Sequence, residues 1–522
     1  MKQELLETLP AGNDHADADL RAGSDAPVVL QPRPRIGFVS LGCPKNLVDS
    51  EVMMGLLDQA GAEITNAPAT ADILVVNTCS FIDKAKQESI DTILQMAQYK
   101  VSGKAQRLIV AGCMVERYRD EIRKNMPEVD AVVGTGELEA ILAAAGLEAP
   151  APPDRPQLFS ILPSGTVSTG NAAQPASRPE GDLREQQGRF GRAQWEGARP
   201  ALPQYLYDHT TPRLRATAKS SAYIKIAEGC DHPCSFCVIP NLRGKFRSRR
   251  FESVVTEAEQ LVAQGVRELT LIGQDTTCYG EDLGMKDGLA QLLDSLARIA
   301  GLKWLRFLYA YPNKITGRLL DTIARHETIC KYLDMPLQHA SGPVLKSMRR
   351  GGNADIFLQT IERVRKTVPG IAIRSTFITG FPGETVADHT VLSDFIRAAR
   401  LDWLGVFSYS DEEGSGAIHL GDKVPARTIE ARRRSLMRLQ QSISRKSMAA
   451  QIGRRFDLLV EGPSEETPLL WEGRTQYQAP EIDGKVYIND FGPFDQLNPG
   501  QFYQCEITES QDYDLVGRII AE

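Results

Sequence analysis

Three of the nine cysteines lie on one short stretch, AEGCDHPCSFCVIP, at CxxxCxxC spacing. They are Cys230, Cys234 and Cys237. A zinc site usually pairs a CxxC with a second CxxC or with an HxxxH, and the sequence offers no such partner. Three soft thiolates that leave one coordination position free suit a [4Fe–4S] cluster, whose fourth iron can bind a small molecule. The alternative is a structural zinc knuckle completed by His232 or by a distant cysteine.

A second set, Cys43, Cys79 and Cys113, is spread over the first part of the chain. Each falls where a predicted strand ends, in VSLGCPKN, VVNTCSF and VAGCMVE, with 35 and 33 residues between them. Cysteine is also a small apolar residue that suits protein cores, which would explain one such position more readily than three. Three in register, beside Gly or Thr, favour a shared metal site. The remaining cysteines are isolated and are interpreted as single thiols: Cys278, Cys330 and Cys505.

The elements around the second set predict how it could assemble. Strand-like runs (RIGFVSLG, ADILVVNTCSF, RLIVAGCM) alternate with amphipathic helices (NLVDSEVMMGLLDQAG, DKAKQESIDTILQMAQYK). This βαβαβ rhythm predicts a small parallel sheet with helices on its faces. Loops at the carboxyl ends of parallel strands converge on one crevice, so the three thiols could meet there.

The central part of the chain repeats βα units. Six strand-like runs are separated by helical stretches: AYIKIAEG, ELTLIGQDT, WLRFLYAYP, YLDMPLQH, IAIRSTFITG and WLGVFSYS. Such repetition predicts a partial (β/α)6 barrel, where a closed TIM barrel has eight units. The CxxxCxxC loop follows the first of these strands, at the face where barrel enzymes place their chemistry. A basic helix and a set of short strands with Gly and Asp turns follow, which predict a small β-barrel.

The predicted architecture is therefore α/β and multidomain. Its segments are a disordered tail, a parallel α/β domain, a linker with 10 of the 30 prolines within 150–212, the partial barrel and the small β-barrel: 1–34, 35–147, 148–212, 213–448 and 449–522. The net charge is -7, and no run of 18 apolar residues or apolar signal region is present. We therefore expect a cytoplasmic protein without a membrane span, whose cysteines serve as ligands rather than disulfides.

Several stretches resemble a known family. The CxxxCxxC loop after the first strand of a partial barrel resembles the radical S-adenosylmethionine (SAM) enzymes, and the second cysteine set and small β-barrel resemble their methylthiotransferase branch, with its TRAM-like barrel. The closest resemblance is to the RimO type, which modifies a ribosomal protein, and covers about residues 35–147 and 213–521. It rests on these motifs: SLGCPKNLVDSE, NTCSFIDKAKQES, IGQDTTCYG, RFLYAYP, YLDMPLQHAS, FITGFPGET and FSYSDEEGSGA. The related MiaB type modifies tRNA, and we expect its counterparts of CPKN and DEEG to differ.

The resemblance implies two [4Fe–4S] clusters and SAM as cosubstrate. The ligands of the radical cluster would be Cys230, Cys234 and Cys237, and those of an auxiliary cluster would be Cys43, Cys79 and Cys113. Reductive cleavage of SAM would give a 5′-deoxyadenosyl radical that takes a hydrogen from the β-carbon of an aspartate on small-subunit ribosomal protein twelve, and a second SAM would supply the methyl group. A flavodoxin- or ferredoxin-type electron donor and a sulfur source are implied partners.

The same resemblance also implies residues that shield the cluster or contact the cosubstrate. Phe236, beside the last thiol of the loop, would shield the cluster from water. Polar strand ends and two glycines would contact the cosubstrate: Gln274, Asp275, Arg374, Thr376, Gly380 and Gly383. Helix capping and turn formation are the alternative roles for these residues.

Charge favours a protein over RNA as the substrate. Residues 451–522 carry 5 Lys or Arg against 14 Asp or Glu, a balance that repels phosphate and suits a basic ribosomal protein. Two basic stretches, RGKFRSRRF and ARRRSLMRLQQSISRK, keep a tRNA-modifying alternative open, and a non-catalytic iron–sulfur or zinc protein that binds ribosomes is a third hypothesis. We expect no direct contact with RNA and none with a membrane.

Overall fold

The computed structural model describes residues 33–148, 203–467 and 469–521. Residues 1–32 of the predicted tail (1–34) and residues 149–202 of the predicted linker (148–212) lie outside the described residues. The last ten positions of that linker are described, and in them Tyr207 is buried and hydrogen-bonds Glu257 of the central domain. Within the described part of the chain, no helix is long and apolar enough to cross a membrane.

The N-terminal domain is a five-stranded parallel sheet in the order β2-β1-β3-β4-β5. Its strands are β1 (Arg35–Ser40), β2 (Glu63–Thr65), β3 (Ile73–Thr78), β4 (Arg107–Gly112) and β5 (Ala131–Val133). Its helices are α1 (Pro44–Gln59), α2 (Asp83–Ala97), α3 (Tyr99–Ser102), α4 (Cys113–Asn125) and α5 (Ile141–Ala145). The predicted parallel α/β domain is thereby confirmed.

The register of this sheet aligns its three central strands. Ser40 of β1 lies opposite Asn77 of β3, and Thr78 of β3 lies opposite Gly112 of β4. The strands are apolar runs buried on both faces, as expected for a parallel sheet covered by helices. Their carboxyl ends therefore meet at one edge, where each is followed by a cysteine.

The central domain contains the six predicted parallel strands, which are confirmed. Its strands are β6 (Ser221–Lys225), β7 (Ala227–Glu228), β8 (Arg247–Ser248), β9 (Glu268–Ile272), β10 (Trp304–Phe307), β11 (Tyr332–Asp334), β12 (Ala372–Thr379) and β13 (Trp403–Ser408). Its helices are α6 (Ile239–Arg243), α7 (Phe251–Ala263), α8 (Gly288–Leu296), α9 (Gly317–Arg325), α10 (Gly342–Ser347), α11 (Ala354–Thr367), α12 (Val386–Ala399) and α13 (Ala426–Ala449). β7 and β8 form a short antiparallel ribbon.

The main strands form an open barrel of two parallel halves, β10-β9-β6 and β11-β12-β13, joined by a bridge between Leu305 and Ile329. Side chains that point outward are apolar and pack against the helices, such as Ile224, Leu271 and Ile373. On β12 the alternate, inward-facing residues are the less buried ones. The accessible side of this sheet is therefore the inside of the barrel.

The C-terminal domain is a closed five-stranded barrel in the order β14-β15-β16-β18-β17. Its strands are β14 (Arg455–Pro463), β15 (Trp471–Arg474), β16 (Val486–Asp490), β17 (Phe502–Ser510) and β18 (Leu515–Ile520). Closure leaves no free sheet edge within this domain. The small β-barrel predicted from the short strands and Gly–Asp turns is confirmed.

The two flanking domains cover opposite ends of the central barrel. Residues of α1 contact the carboxyl end of β6, so the N-terminal domain lies over the top. The C-terminal domain reaches the amino ends of the strands, where Arg306 donates to the Gln476 carbonyl at 3.0 Å and the Trp403 indole donates to the Tyr477 carbonyl at 2.8 Å. The barrel is thus closed from below and faces the N-terminal domain above.

Candidate metal centres and active site

The second cysteine set lies together at the carboxyl edge of the N-terminal sheet. Cys43 is the N-cap of α1, Cys113 begins α4, and Cys79 follows β3 between them. Two glycines permit this approach: a Cβ on Gly42 (φ 94°) would lie 2.8 Å from the Cys79 Cβ, and one on Gly112 (φ 95°) would lie 2.2 Å from the Asn77 side chain. The sequence therefore requires glycine immediately before two of the thiols.

The environment of two of these thiols, Cys79 and Cys113, opposes their ionisation. Burial, followed by the charges of Cys113 and Cys43, raises the pKa of Cys79 to about 12. Burial also raises the pKa of Cys113 above its ordinary value, although the Arg243 guanidinium acts in the opposite direction. Cys43 and Cys113 lie at helix N-termini, which favour negative charge. Metal binding here would release protons from the thiols.

The CxxxCxxC set lies on the loop between β7 and α6, at the top of the barrel. The loop passes so close to the returning chain that a Cβ on Gly229 (φ 81°) would lie 2.1 Å from the Lys245 carbonyl oxygen. Burial is the main reason why the pKa of Cys230 is raised to about 11 and that of Cys237 to about 12. Arg350 donates to the Cys234 Sγ at 3.5 Å, so a cation already faces one thiol.

The spacing of both cysteine sets fits a cluster better than a single ion. Zinc–sulfur bonds of about 2.3 Å in a tetrahedron hold the sulfurs about 3.8 Å apart. Among the described residues, the group of three metal-binding donors whose ligand atoms all lie within 4.8 Å is His232, Asp275 and Cys278. Neither cysteine trio is gathered that closely. Three buried or half-buried thiols at wider spacing suit the several irons of a [4Fe–4S] cluster.

The group formed by His232, Asp275 and Cys278 is held by its own hydrogen bonds. His232 Nε2 lies 2.6 Å from Asp275 Oδ2, and the Cys278 thiol donates to the same oxygen at 3.1 Å. Burial raises the pKa of Asp275, but bonds from His232 and Thr277 outweigh it and hold the pKa below its ordinary value. The His232 ring stacks on Tyr311 at 3.9 Å. These contacts fix the cysteine loop against the end of β9.

A buried ionic network joins the two cysteine sets. Arg243, the last residue of α6, pairs with Asp49 of α1 at 2.5 Å and donates to the Cys113 Sγ at 3.3 Å. Lys225 pairs with the same Asp49 and with Glu228. Cys113 also packs against Val238, which follows Cys237. Residues at both ends of α6, Val238 and Arg243, therefore contact Cys113.

Lys45 of the CPKN motif extends from the N-terminal domain to the rim of the barrel. Its Nζ donates to the Gly273 carbonyl at 3.4 Å and lies 3.3 Å from the centre of the Tyr309 ring. Burial lowers the pKa of Lys45, but Tyr309 and Cys43 outweigh it and raise the pKa above the ordinary value. Lys45 thus brings a cation into the space between the two cysteine sets.

Of the polar residues predicted to contact the cosubstrate, Gln274 lies beside this space, whereas Arg374 lies toward the lower end of the barrel. Gln274 donates to Glu228 at 2.5 Å, and its Oε1 is buried without a hydrogen-bond partner among the described residues. Thr376 faces the accessible inside of the barrel. Arg374 also faces inward, where it pairs with Asp334 at 3.0 Å and with Asp483 at 3.4 Å. The cosubstrate role of these residues stays a prediction.

The predicted glycines and Phe236 have local structural roles. A Cβ on Gly380 (φ 81°) would lie 2.3 Å from the Ile429 side chain, so glycine there permits close packing of α13. Gly383 (φ 81°) forms a turn and donates to the Asp422 carbonyl at 2.9 Å. Phe236 packs against a cluster that contains Phe381. Their contacts with a cosubstrate remain predictions.

One contact that was not predicted from the sequence holds the N-terminal domain against the rim of the central barrel. Glu412, from the DEEG motif after β13, is buried and pairs with Arg117 at 2.8 Å and Lys86 at 3.1 Å. Arg117 also donates to the Glu413 carbonyl at 2.9 Å. Lys45, Arg243 and Glu412 all lie within or beside the quoted motifs, but their partners in the other domain lie 130 to 326 residues away.

Three family models match the chain. The model of the Uncharacterized protein family UPF0004 matches residues 35–134, that of the Radical SAM superfamily matches residues 224–396, and that of the TRAM domain matches residues 452–520. The radical SAM match includes the whole CxxxCxxC loop. The superfamily implies SAM and a [4Fe–4S] cluster.

Curated proteins match nearly the full length. The ribosomal protein uS12 methylthiotransferase RimO of Koribacter versatilis (strain Ellin345) is 65% identical over 486 residues, which cover 93% of this chain and 96% of the relative. The protein of the same name from Solibacter usitatus (strain Ellin6076) is 54% identical, with 93% and 95% covered. That of Trichlorobacter lovleyi is 43% identical, with 94% and 99% covered. The likeness therefore extends over all three domains.

Proposed function

The chain belongs to the RimO family of radical SAM methylthiotransferases, and from that membership we propose that it inserts a methylthio group at the β-carbon of an aspartate in ribosomal protein uS12. The enzyme is a transferase. The observation that supports the proposal best is that Val238 and Arg243, at the two ends of the short helix that follows the CxxxCxxC loop, both contact Cys113 of the other set.

We propose that Cys230, Cys234 and Cys237 hold the radical cluster and that a second [4Fe–4S] cluster is held by Cys43, Cys79 and Cys113. When bound, these groups would supply a carbon radical and the sulfur for transfer. The residues of the chain position them: Arg350 faces the Cys234 sulfur and Arg243 faces the Cys113 sulfur. Charge-assisted hydrogen bonds to ligating sulfurs raise the reduction potential of such clusters.

The barrel also provides the enclosed space that radical chemistry needs. Water and side chains with abstractable hydrogens would quench a primary carbon radical, so its site must exclude them. The C-terminal domain closes the lower end through Arg306 and Trp403, and the N-terminal domain covers the upper end through Asp49 and Arg243. The substrate side chain would enter between the N-terminal domain and the rim.

Three of the five cations in the basic stretch RGKFRSRRF bind within the protein. Arg243 pairs with Asp49, and Arg249 pairs with Glu257. Arg247 donates to backbone carbonyls, including those of Gln204 and Tyr205. Lys245 and Arg250 are exposed, so the stretch offers two surface cations rather than five, which supports a protein substrate over tRNA.

We further propose a cytoplasmic reaction that uses a flavodoxin- or ferredoxin-type electron donor and an external sulfur source. The test is an anaerobic assay of the reconstituted enzyme with SAM, a reductant, purified uS12 and, in parallel, tRNA. Mass spectrometry should find uS12 heavier by one SCH2 unit at an aspartate, with tRNA unchanged. A methylthiolated adenosine with unmodified uS12 would favour the tRNA alternative, and zinc in place of iron would exclude the radical chemistry.

A further inference from the structure

The buried cations of this protein follow a rule with one exception. Among the described residues, six lysines and arginines are buried. Five of them pair with carboxylates: Lys225, Arg243, Arg249, Arg306 and Arg474. Lys45 has no carboxylate partner within the described ranges. Because a buried charge is costly unless it is paired, the missing partner of Lys45 requires an explanation.

The contacts that Lys45 does make cannot neutralise it. The Gly273 carbonyl accepts one hydrogen bond at 3.4 Å, at the long end of the range, and the Tyr309 ring offers its face at 3.3 Å. An ammonium group has three donors, so at least one N–H remains for a ligand. Both contacts are dipolar. The acidic group that also acts on Lys45, the Cys43 thiol, is one of the proposed cluster ligands, so a carboxylate partner is still missing.

The position of Lys45 is as informative as its charge. It lies two residues after Cys43, and its Nζ reaches the end of β9, next to Gln274. Gln274 in turn donates to Glu228, two residues before Cys230. Any group that reacts between the two cysteine sets must therefore come close to the Lys45 ammonium.

We propose that Lys45 binds the side-chain carboxylate of the substrate aspartate. This inference rests on the proposed function, because it assumes that the reacting carbon is the β-carbon of an aspartate. That carbon is bonded directly to the carboxyl carbon, so a cation that holds the carboxylate also holds the reacting carbon. A charge-assisted hydrogen bond of about 2.8 Å between ammonium and carboxylate would complete the buried pair.

This pairing also provides selectivity. A neutral side chain of the same shape, such as asparagine, would leave the ammonium buried and unpaired, and sites built in this way reject such analogues strongly. A nucleobase is neutral as well and would leave the same charge unpaired. Lys45 is therefore a specificity-determining residue for an acidic side chain.

The test measures binding, with clusters reconstituted and SAM omitted. Purified uS12, and uS12 in which the target aspartate is replaced by asparagine, are titrated calorimetrically into the wild type, Lys45→Met and Lys84→Met. Lys84→Met removes the same charge from an exposed position of the same domain. The wild type and Lys84→Met should prefer the aspartate form by at least about tenfold. In Lys45→Met the two forms should bind within about twofold of one another.

An unchanged aspartate preference in Lys45→Met would overturn the inference and indicate that the ammonium serves the auxiliary cluster instead. If Lys45→Met fails to hold its iron, Lys45→Gln gives the same readout, because its amide can still donate to the Gly273 carbonyl. Displacement of uS12 by tRNA from the wild type and not from Lys45→Gln would mean that the bound anion is a phosphate, which also overturns it. A wild type that binds both forms of uS12 but never methylthiolates it would refute the proposed function separately.

Discussion

The two ends of the barrel are both built from buried charges, yet they differ in how completely those charges are paired. At the lower end, Glu268 lies between Arg306 and Arg474, and every partner is a residue of the chain. At the upper end, Lys45 lacks a carboxylate partner among the described residues. Complete pairing is expected of a structural closure. Incomplete pairing is expected where a ligand supplies the missing groups.

The largest effect should come from removing a single cysteine of either set at the upper end. Cys79→Ala and Cys234→Ala should each lower methylthiolation of uS12 by more than the roughly 100-fold that follows loss of a residue supporting a metal ligand. Cys79→Ala should retain reductive cleavage of SAM, whereas Cys234→Ala should abolish it. Anaerobic assays that quantify 5′-deoxyadenosine and modified uS12 separate the two outcomes.

Cysteines of the lower end provide the control. Cys330 is buried below the barrel and Cys505 is buried within the C-terminal domain. Cys330→Ala and Cys505→Ala should keep the wild-type iron content and product yield per folded protein. A loss of iron from either variant would contradict the division between the two ends.

Breaking a buried ion pair at each end should give the next largest effect. Glu268→Gln leaves two buried arginines short of a partner, and Glu228→Gln does the same to Lys225 and Arg243. Each should lower the free energy of unfolding by about 3–5 kcal/mol, measured by chemical denaturation. Iron analysis distinguishes the two ends, because we expect only Glu228→Gln to lose iron. Equal iron loss in both would show that the two ends are not separable.

A smaller effect is expected from the contact between Glu412, Lys86 and Arg117. Glu412→Gln should loosen the N-terminal domain over the barrel, and we expect about a threefold to tenfold drop in modified uS12 per SAM cleaved, equivalent to about 1 kcal/mol. Total SAM cleavage should change less than twofold. Glu413→Gln is the matched control, since the Glu413 side chain is exposed and its carbonyl makes the contact. Equal coupling in Glu412→Gln and wild type would contradict this role.

The last effect concerns pH at the lower end. Burial, opposed by Arg374, raises the pKa of Asp483 to about 6. Because the folded state holds this proton more tightly than the unfolded state, stability should fall as pH rises from about 4 to about 6 and then level off. The change is about 3 kcal/mol and should be absent from Asp483→Asn. Denaturation midpoints between pH 4 and 7 measure it, with the exposed Asp495→Asn as control; identical slopes in all three proteins would contradict the assignment.

The sequence predicts the strands and domains of the molecule, but it does not predict which charged residues meet at the upper end. All six barrel strands and both flanking folds followed from periodicity, because apolar patterning is a local property. The cysteine sets were visible because thiols at strand ends are rare and the loop spacing is short. The pairing of Arg243 and the lack of a pair for Lys45 depend on residues far apart in sequence, such as Asp49 and Glu228, and a single sequence does not show which charges meet. Gly380 illustrates the same limit, since its close neighbour is Ile429 on another element.

The closure of the lower end by the C-terminal domain has a kinetic consequence. With Gln476, Tyr477 and Asp483 set against Arg306, Trp403 and Tyr332, the lower end is closed, and reactants approach from the side that the N-terminal domain covers. A folded protein substrate bound on that side would obstruct the approach of small molecules. We therefore expect small molecules to enter before the protein substrate and to leave after it.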